Sequence, residues 1–170
     1  YYSSSSNYGG PGGVRVDGIN AMFVMTGGAI TENVSASQVD YGSALVCYYG
    51  TTIITGGLVS GNSGGVAAIY SYGDGNNRVE ISNLTIENNE ATSSYQGYGA
   101  GGIAARQGSI KLNNVIIRNN SSKLVAGLAI YSGVTCTAEN VQILDNTGKT
   151  NGGIYNAGNL TLNNVTVSEN

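Results

Sequence analysis

The 170-residue sequence predicts an all-β fold, a single-stranded right-handed parallel β-helix of about six coils with three short strands each. Three observations point to it. One phrase recurs along the chain, as MFVMTGGAITEN, TTIITGGLVSGN, RVEISNLTIENN, SIKLNNVIIRNN, TCTAENVQILDN and NLTLNNVTVSEN. Within each phrase apolar residues alternate with polar ones, and the alternation slips by one residue midway. At every slip stands a Gly or an Asn.

The phrases align on their closing asparagines, Asn33, Asn62, Asn89, Asn120, Asn146 and Asn170, which are 29, 27, 31, 26 and 24 residues apart. That spacing suits one solenoid coil with a loop of variable length. Three residues before each anchor lie Ile30, Val59, Ile86, Ile117, Ile143 and Val167. Eight before lie Met25, Ile54, Ile81, Leu112, Ala138 and Leu162, and ten before lie Phe23, Thr52, Val79, Ile110, Cys136 and Leu160. A period of two is the mark of strands, whose side chains face alternate sides. The column five before the anchor (Gly28, Gly57, Leu84, Val115, Val141, Val165) is in phase with the column three before but three residues from the column eight before, so the strand must bend between them. The column six before reads Gly27, Gly56, Asn83, Asn114, Asn140 and Asn164, and Gly and Asn best tolerate the positive φ that a bend requires.

A third strand precedes each pair, in GVRVDG, ALVCYYG, VAAIYSYG, GGIAARQG, GLAIYSG and GGIYNAG, each ended by Gly. The right hand follows from the general preference of parallel crossovers. Six coils at about 4.8 Å would stack to roughly 29 Å, with like residues above like. Stacked Asn columns are then expected to form amide ladders along the axis. Cys47 and Cys136 fall about three coils apart, roughly 14 Å, beyond the reach of a disulfide.

Residues 1–12, rich in Tyr, Ser and Gly, read as a linker or N-terminal edge, and residues 13–170 as the solenoid. The last phrase resembles an internal coil rather than a polar cap. The expectation is therefore a segment of a longer solenoid, or an open end where chains self-associate.

Composition narrows the function. Only 10% of residues are charged, against about 25% in an average globular protein. Ser, Thr, Asn and Gly must keep the surface wetted. The net charge of −3 and the lack of a basic patch argue against nucleic acid. No apolar run reaches the roughly 18 residues of a membrane-spanning helix, so no membrane insertion is expected of this segment. There is no His, which removes Ser–His and Cys–His nucleophiles and the commonest metal ligand. No cofactor and no metal are expected.

The phrases FVMTGGAITEN, TIITGGLVSGN and GGIYNAGNLTLNNVTVSEN resemble the repeats of bacterial right-handed parallel β-helix adhesin-like surface proteins, including polymorphic outer membrane proteins and autotransporter passengers. GGAI occurs literally at Gly27–Ile30, with GGI at Gly101–Ile103 and Gly152–Ile154, while Ile or Val replaces the Phe of the FxxN motif at all six anchors. The resemblance spans residues 12–170 and implies a secreted or cell-surface protein. Its partners would be a glycan or a protein of a host or neighbouring cell.

Tyrosines supply the candidate surface. Tyr70, Tyr131 and Tyr155 each follow an inward Ile on the first strand and should face outward, with Tyr48, Tyr49 and Tyr72 nearby on the same sheet. Ala104 and Arg106 interrupt that row. Tyr95 and Tyr98, in the long loop 90–102, and Tyr41, in the loop 34–42, would extend it. An exposed aromatic strip suits sugar rings or a protein partner. The leading expectation is thus a non-enzymatic adhesin-like surface protein binding glycan or protein. A passive stalk or filament subunit is the alternative, with tyrosines that only pack.

Pectate lyases, polygalacturonases and tailspike hydrolases share the scaffold, so a polysaccharide-degrading enzyme is the second alternative. It would need paired carboxylates. The ten carboxylates do not align on the first strand, although Asp40 and Glu90 fall on neighbouring loops. Flat Thr rows of the kind that bind ice are not evident, with outward Thr85, Thr161 and Thr166 only. Sequons at Asn33, Asn83, Asn119, Asn120, Asn159 and Asn164 mostly coincide with corner or ladder positions.

Overall fold

The computed structural model describes residues 12–35, 42–73, 75–93 and 98–170, and among these every regular element is a β-strand. The strands stack into a parallel solenoid of about five turns. One six-stranded sheet holds Val14–Asp17, Gly42–Tyr48, Ala67–Tyr72, Ile103–Ala105, Leu128–Ile130 and Ile154–Asn156, each paired in parallel with the next. A second runs from Met22–Met25 to Asn159–Asn163, and a third from Ala29–Thr31 to Thr166–Ser168.

The sequence columns are the structural register. Phe23 pairs with Thr52, Thr52 with Val79, Val79 with Ile110, Ile110 with Cys136, and Cys136 with Leu160. These inward columns form one continuous core running the length of the stack. Both cysteines are buried in it as free thiols, Cys47 on the first sheet and Cys136 on the second.

Five of the coils carry a fourth element that the three-strand reading missed. Val34–Ser35, Ser63–Gly64, Glu90–Ala91, Ser121–Ser122 and Thr147–Gly148 form a narrow fourth sheet directly after the anchors. Two residues are too few to show alternation, and these carry no shared apolar position.

Corners also differ in part from expectation. Asn83, Asn114, Asn140 and Asn164 have φ of +52°, +54°, +53° and +50°, as the slip requires. In the two TGG coils the left-handed residue is the second glycine, Gly28 at +85° and Gly57 at +119°, not Gly27 or Gly56. Gly57 pairs with Leu84, so the bend sits one residue later there. A further corner precedes every anchor: Glu32, Gly61, Asn88, Asn119, Asp145 and Glu169 have φ between +53° and +66°. Three of those six are carboxylates, Glu32, Asp145 and Glu169.

Candidate functional site: an aromatic row on the outer face of the first sheet

Inside the second corner lies the predicted ladder. Asn33, Asn62, Asn89, Asn120 and Asn146 each donate from Nδ2 to Oδ1 of the next anchor at 2.8–3.0 Å, ending on Asn170. Their main-chain N–H groups reach the same oxygens at 3.0–3.1 Å. From Asn62 onward Nδ2 also donates to the carbonyl of an inward residue one coil back, Ile30, Val59, Ile86, Ile117 and Ile143 in turn. Asn62, Asn89, Asn120 and Asn146 are at most 1% exposed, and such burial is tolerable because every amide group is satisfied. On the outside, Asn114 donates to Asn83 at 2.7 Å and Asn164 to Asn140 at 2.6 Å. The ladder is structural and leaves the outer faces to do any binding.

The outer face of the first sheet carries the tyrosines, but not as an exposed strip. Tyr70 is fully buried and Tyr131 is 7% exposed, in a second apolar cluster with Val46, Val66, Ala104, Val125 and Ala129. Their outward direction is as expected, and their exposure is not. The chain around Val66, Ala100 and Val125 packs over the sheet there, where Ala104 and Ala129 leave room beneath it. Gly99 N–H donates to the Tyr131 hydroxyl at 2.9 Å, tying that segment to the sheet. Burial raises the Tyr131 pKa above its ordinary value. Such packing is invisible to strand periodicity, which assigns a face but not what covers it.

Rings nearer the sheet's edge form a row that links neighbouring coils. Tyr48 meets Tyr49 edge-on with centroids 4.2 Å apart and lies 5.3 Å from Tyr72, its register partner one coil on. Tyr72 stacks on Tyr70 at 5.9 Å. Arg106 does not interrupt the row. Its guanidinium lies 4.8 Å from the Tyr72 ring and 3.9 Å from that of Tyr98, bridging the two by cation–π contact. Tyr98 then meets Tyr131 at 4.6 Å, and Tyr131 meets Tyr155 at 5.4 Å. At the other end Arg15 covers Tyr48 at 5.3 Å. Tyr95 and Tyr41 lie outside the described residues, as does Asp40 and with it the suggested Asp40–Glu90 pair.

One cavity opens on this row, about 500 Å³ in volume. Tyr98, Tyr131 and Tyr155 form its aromatic walls, with Arg106, Gln107 and Ser132 supplying polar groups. Tyr155, 37% exposed, presents the most accessible ring. None of the described residues lining it is a carboxylate. Elsewhere three acids are engaged in surface ion pairs: Glu80 lies between Arg78 and Lys111, which hold its pKa down, Glu87 meets Arg118, and Asp17 meets Arg15. Among the described residues no three His, Cys, Asp or Glu converge as metal ligands, and no helix is long and apolar enough to cross a membrane. Comparison with protein-family models, with curated proteins and with solved structures finds no match to this chain.

Proposed function

We propose that this solenoid is a non-enzymatic, adhesin-like binding segment of a bacterial cell-surface or secreted protein, and that the Tyr98–Tyr131–Tyr155 cavity takes a saccharide. The observation that carries this reading is the cavity itself. Its volume of about 500 Å³ falls within the range of small-ligand sites. The Tyr155 ring, the most exposed of the three, offers a flat apolar face with a polar edge, which suits the C–H face and hydroxyl rim of a pyranose. Gln107 and Ser132 add amide and hydroxyl groups at the same opening. Tyr155 stands on a strand, Tyr131 directly follows one and its hydroxyl is held by Gly99 N–H, so on this side a ligand would meet a preformed wall. The surface location rests on the resemblance of the repeats alone.

A glycan array probed with the intact chain and with Tyr155→Ala tests the reading. Retention of specific saccharides, lost in the variant, is the expected result. No retention, or retention indifferent to Tyr155, rejects it. A second reading is favoured by a specific observation: Tyr70 and Tyr131 are buried, so part of the aromatic row is packing. With the continuous amide ladder, that packing suits a stiff stalk or filament subunit with no ligand. An array without binding would leave that role.

A further inference from the structure

Beyond Arg106, the other end of the aromatic row holds Tyr48 and Tyr72 in a different situation. They are register partners on adjacent coils, both half-buried, with rings 5.3 Å apart and inclined by 38°. Tyr49 has φ of +67°, a conformation rare for a bulky residue, and its ring turns back onto Tyr48. The Tyr48 and Tyr49 hydroxyls meet at 3.3 Å, and this contact is the first cause of a Tyr48 pKa raised to about 12. A phenol with a hydrogen-bonded oxygen beside it has somewhere to pass its proton when the ring loses an electron. The stack also holds a neighbouring phenol within reach, so the second ring need not diffuse to the first.

We propose that Tyr48 and Tyr72 are an oxidative coupling site, at which a haem peroxidase using hydrogen peroxide joins the two rings into a dityrosine cross-link between coils. Each phenol gives up one electron and its hydroxyl proton, leaving two tyrosyl radicals. A carbon–carbon bond forms between the ring carbons ortho to the two oxygens. The two ring hydrogens at those carbons then move to the oxygens, restoring both phenols. Two hydrogens leave overall and reduce one hydrogen peroxide to two waters. The product closes a covalent loop across one solenoid turn, which limits how far the unfolded chain can spread.

The test treats the intact folded chain with a haem peroxidase and hydrogen peroxide, dilute enough to suppress coupling between molecules. Thermolysin then cuts at the aliphatic residues between the two tyrosines, Leu58, Val59 and Val66 among them. Mass spectrometry should find the Tyr48 and Tyr72 peptides joined and two hydrogens lighter than their sum. The joined pair should disappear in Tyr72→Phe, which keeps the ring and the packing, and in protein unfolded by urea before oxidation. Dityrosine confined to other pairs, coupling only between molecules, no coupling, or a yield unchanged by unfolding would each overturn the proposal. Because Tyr155 and the cavity take no part, the outcome is independent of saccharide binding.

Discussion

The side chain of Asn89 donates from Nδ2 to Oδ1 of Asn120 at 2.9 Å, and the main-chain N–H of Asn89 reaches the same oxygen at 3.0 Å. Asn89 Oδ1 receives the same pair of bonds from Asn62, and the second Nδ2 hydrogen goes to the Val59 carbonyl at 3.1 Å. The buried amide is therefore fully used, and it can be removed only by stranding its neighbours. Asn89→Ala takes the acceptor from two donors of Asn62, while the Asn120 oxygen loses the side-chain donor and keeps the main-chain N–H, and each unsatisfied buried group costs about 1–3 kcal/mol. A loss of about 3–5 kcal/mol in urea unfolding is expected. A loss below about 1 kcal/mol would mean that the ladder contributes little.

The corners predict changes of either sign. Glu32 and Glu169 hold φ of +56° and +55°, where a residue with a Cβ costs about 1–2 kcal/mol relative to right-handed backbone. Glu32→Gly should therefore stabilise the chain, by up to about 1 kcal/mol after the added freedom of the unfolded Gly is counted. Asn140→Ala, at φ +53°, should destabilise by about 1 kcal/mol. Thermal unfolding of the two variants reads both signs.

Burial separates the tyrosines by role. Tyr70→Ala opens a hole beneath the covering segments and should cost about 3–5 kcal/mol, as large aromatic truncations do. Tyr155→Ala removes a ring that is already 37% exposed and should cost less than about 1.5 kcal/mol. Urea midpoints of the two variants measure the difference. Equal costs would contradict the placement of Tyr70 inside the cluster.

Cys136 links stability to alkaline pH. Burial pushes its thiol from 9.0 to about 12. Below pH 9 both the folded and the unfolded chain keep the proton, and the group has no effect. Between pH 9 and about 12 the unfolded thiol ionises while the folded one does not, so stability falls as pH rises. Cys136→Ala should flatten this part of the stability–pH curve. The thiol should also resist a disulfide reagent at pH 8 until the chain unfolds.

The stacking register was legible because a solenoid repeats one local rule. Phe23, Thr52, Val79, Ile110, Cys136 and Leu160 share an inward column, so one alignment on the anchors places six residues at once. The Asn column was legible because a polar residue recurring beside apolar ones has to be satisfied within the stack. The fourth sheet was not, since pairs such as Ser121–Ser122 carry no apolar signal. The shift of the bend to Gly28 and Gly57 was hidden because two adjacent glycines can each adopt it. Alternation told which face Tyr70 and Tyr131 occupy, but their burial depends on segments brought over the sheet from other coils. Arg106 looked like an interruption because a one-letter column does not reveal that a guanidinium can lie against rings on both sides.

The most direct measurement of the central claim is an NMR titration of the tyrosine-labelled chain with each saccharide that the array retains. Shifts concentrated on the Tyr155 and Tyr98 rings, with Tyr70 and Tyr48 unmoved, are the predicted result. A bound saccharide that leaves Tyr155 and Tyr98 unshifted, or an array that retains none, would contradict it.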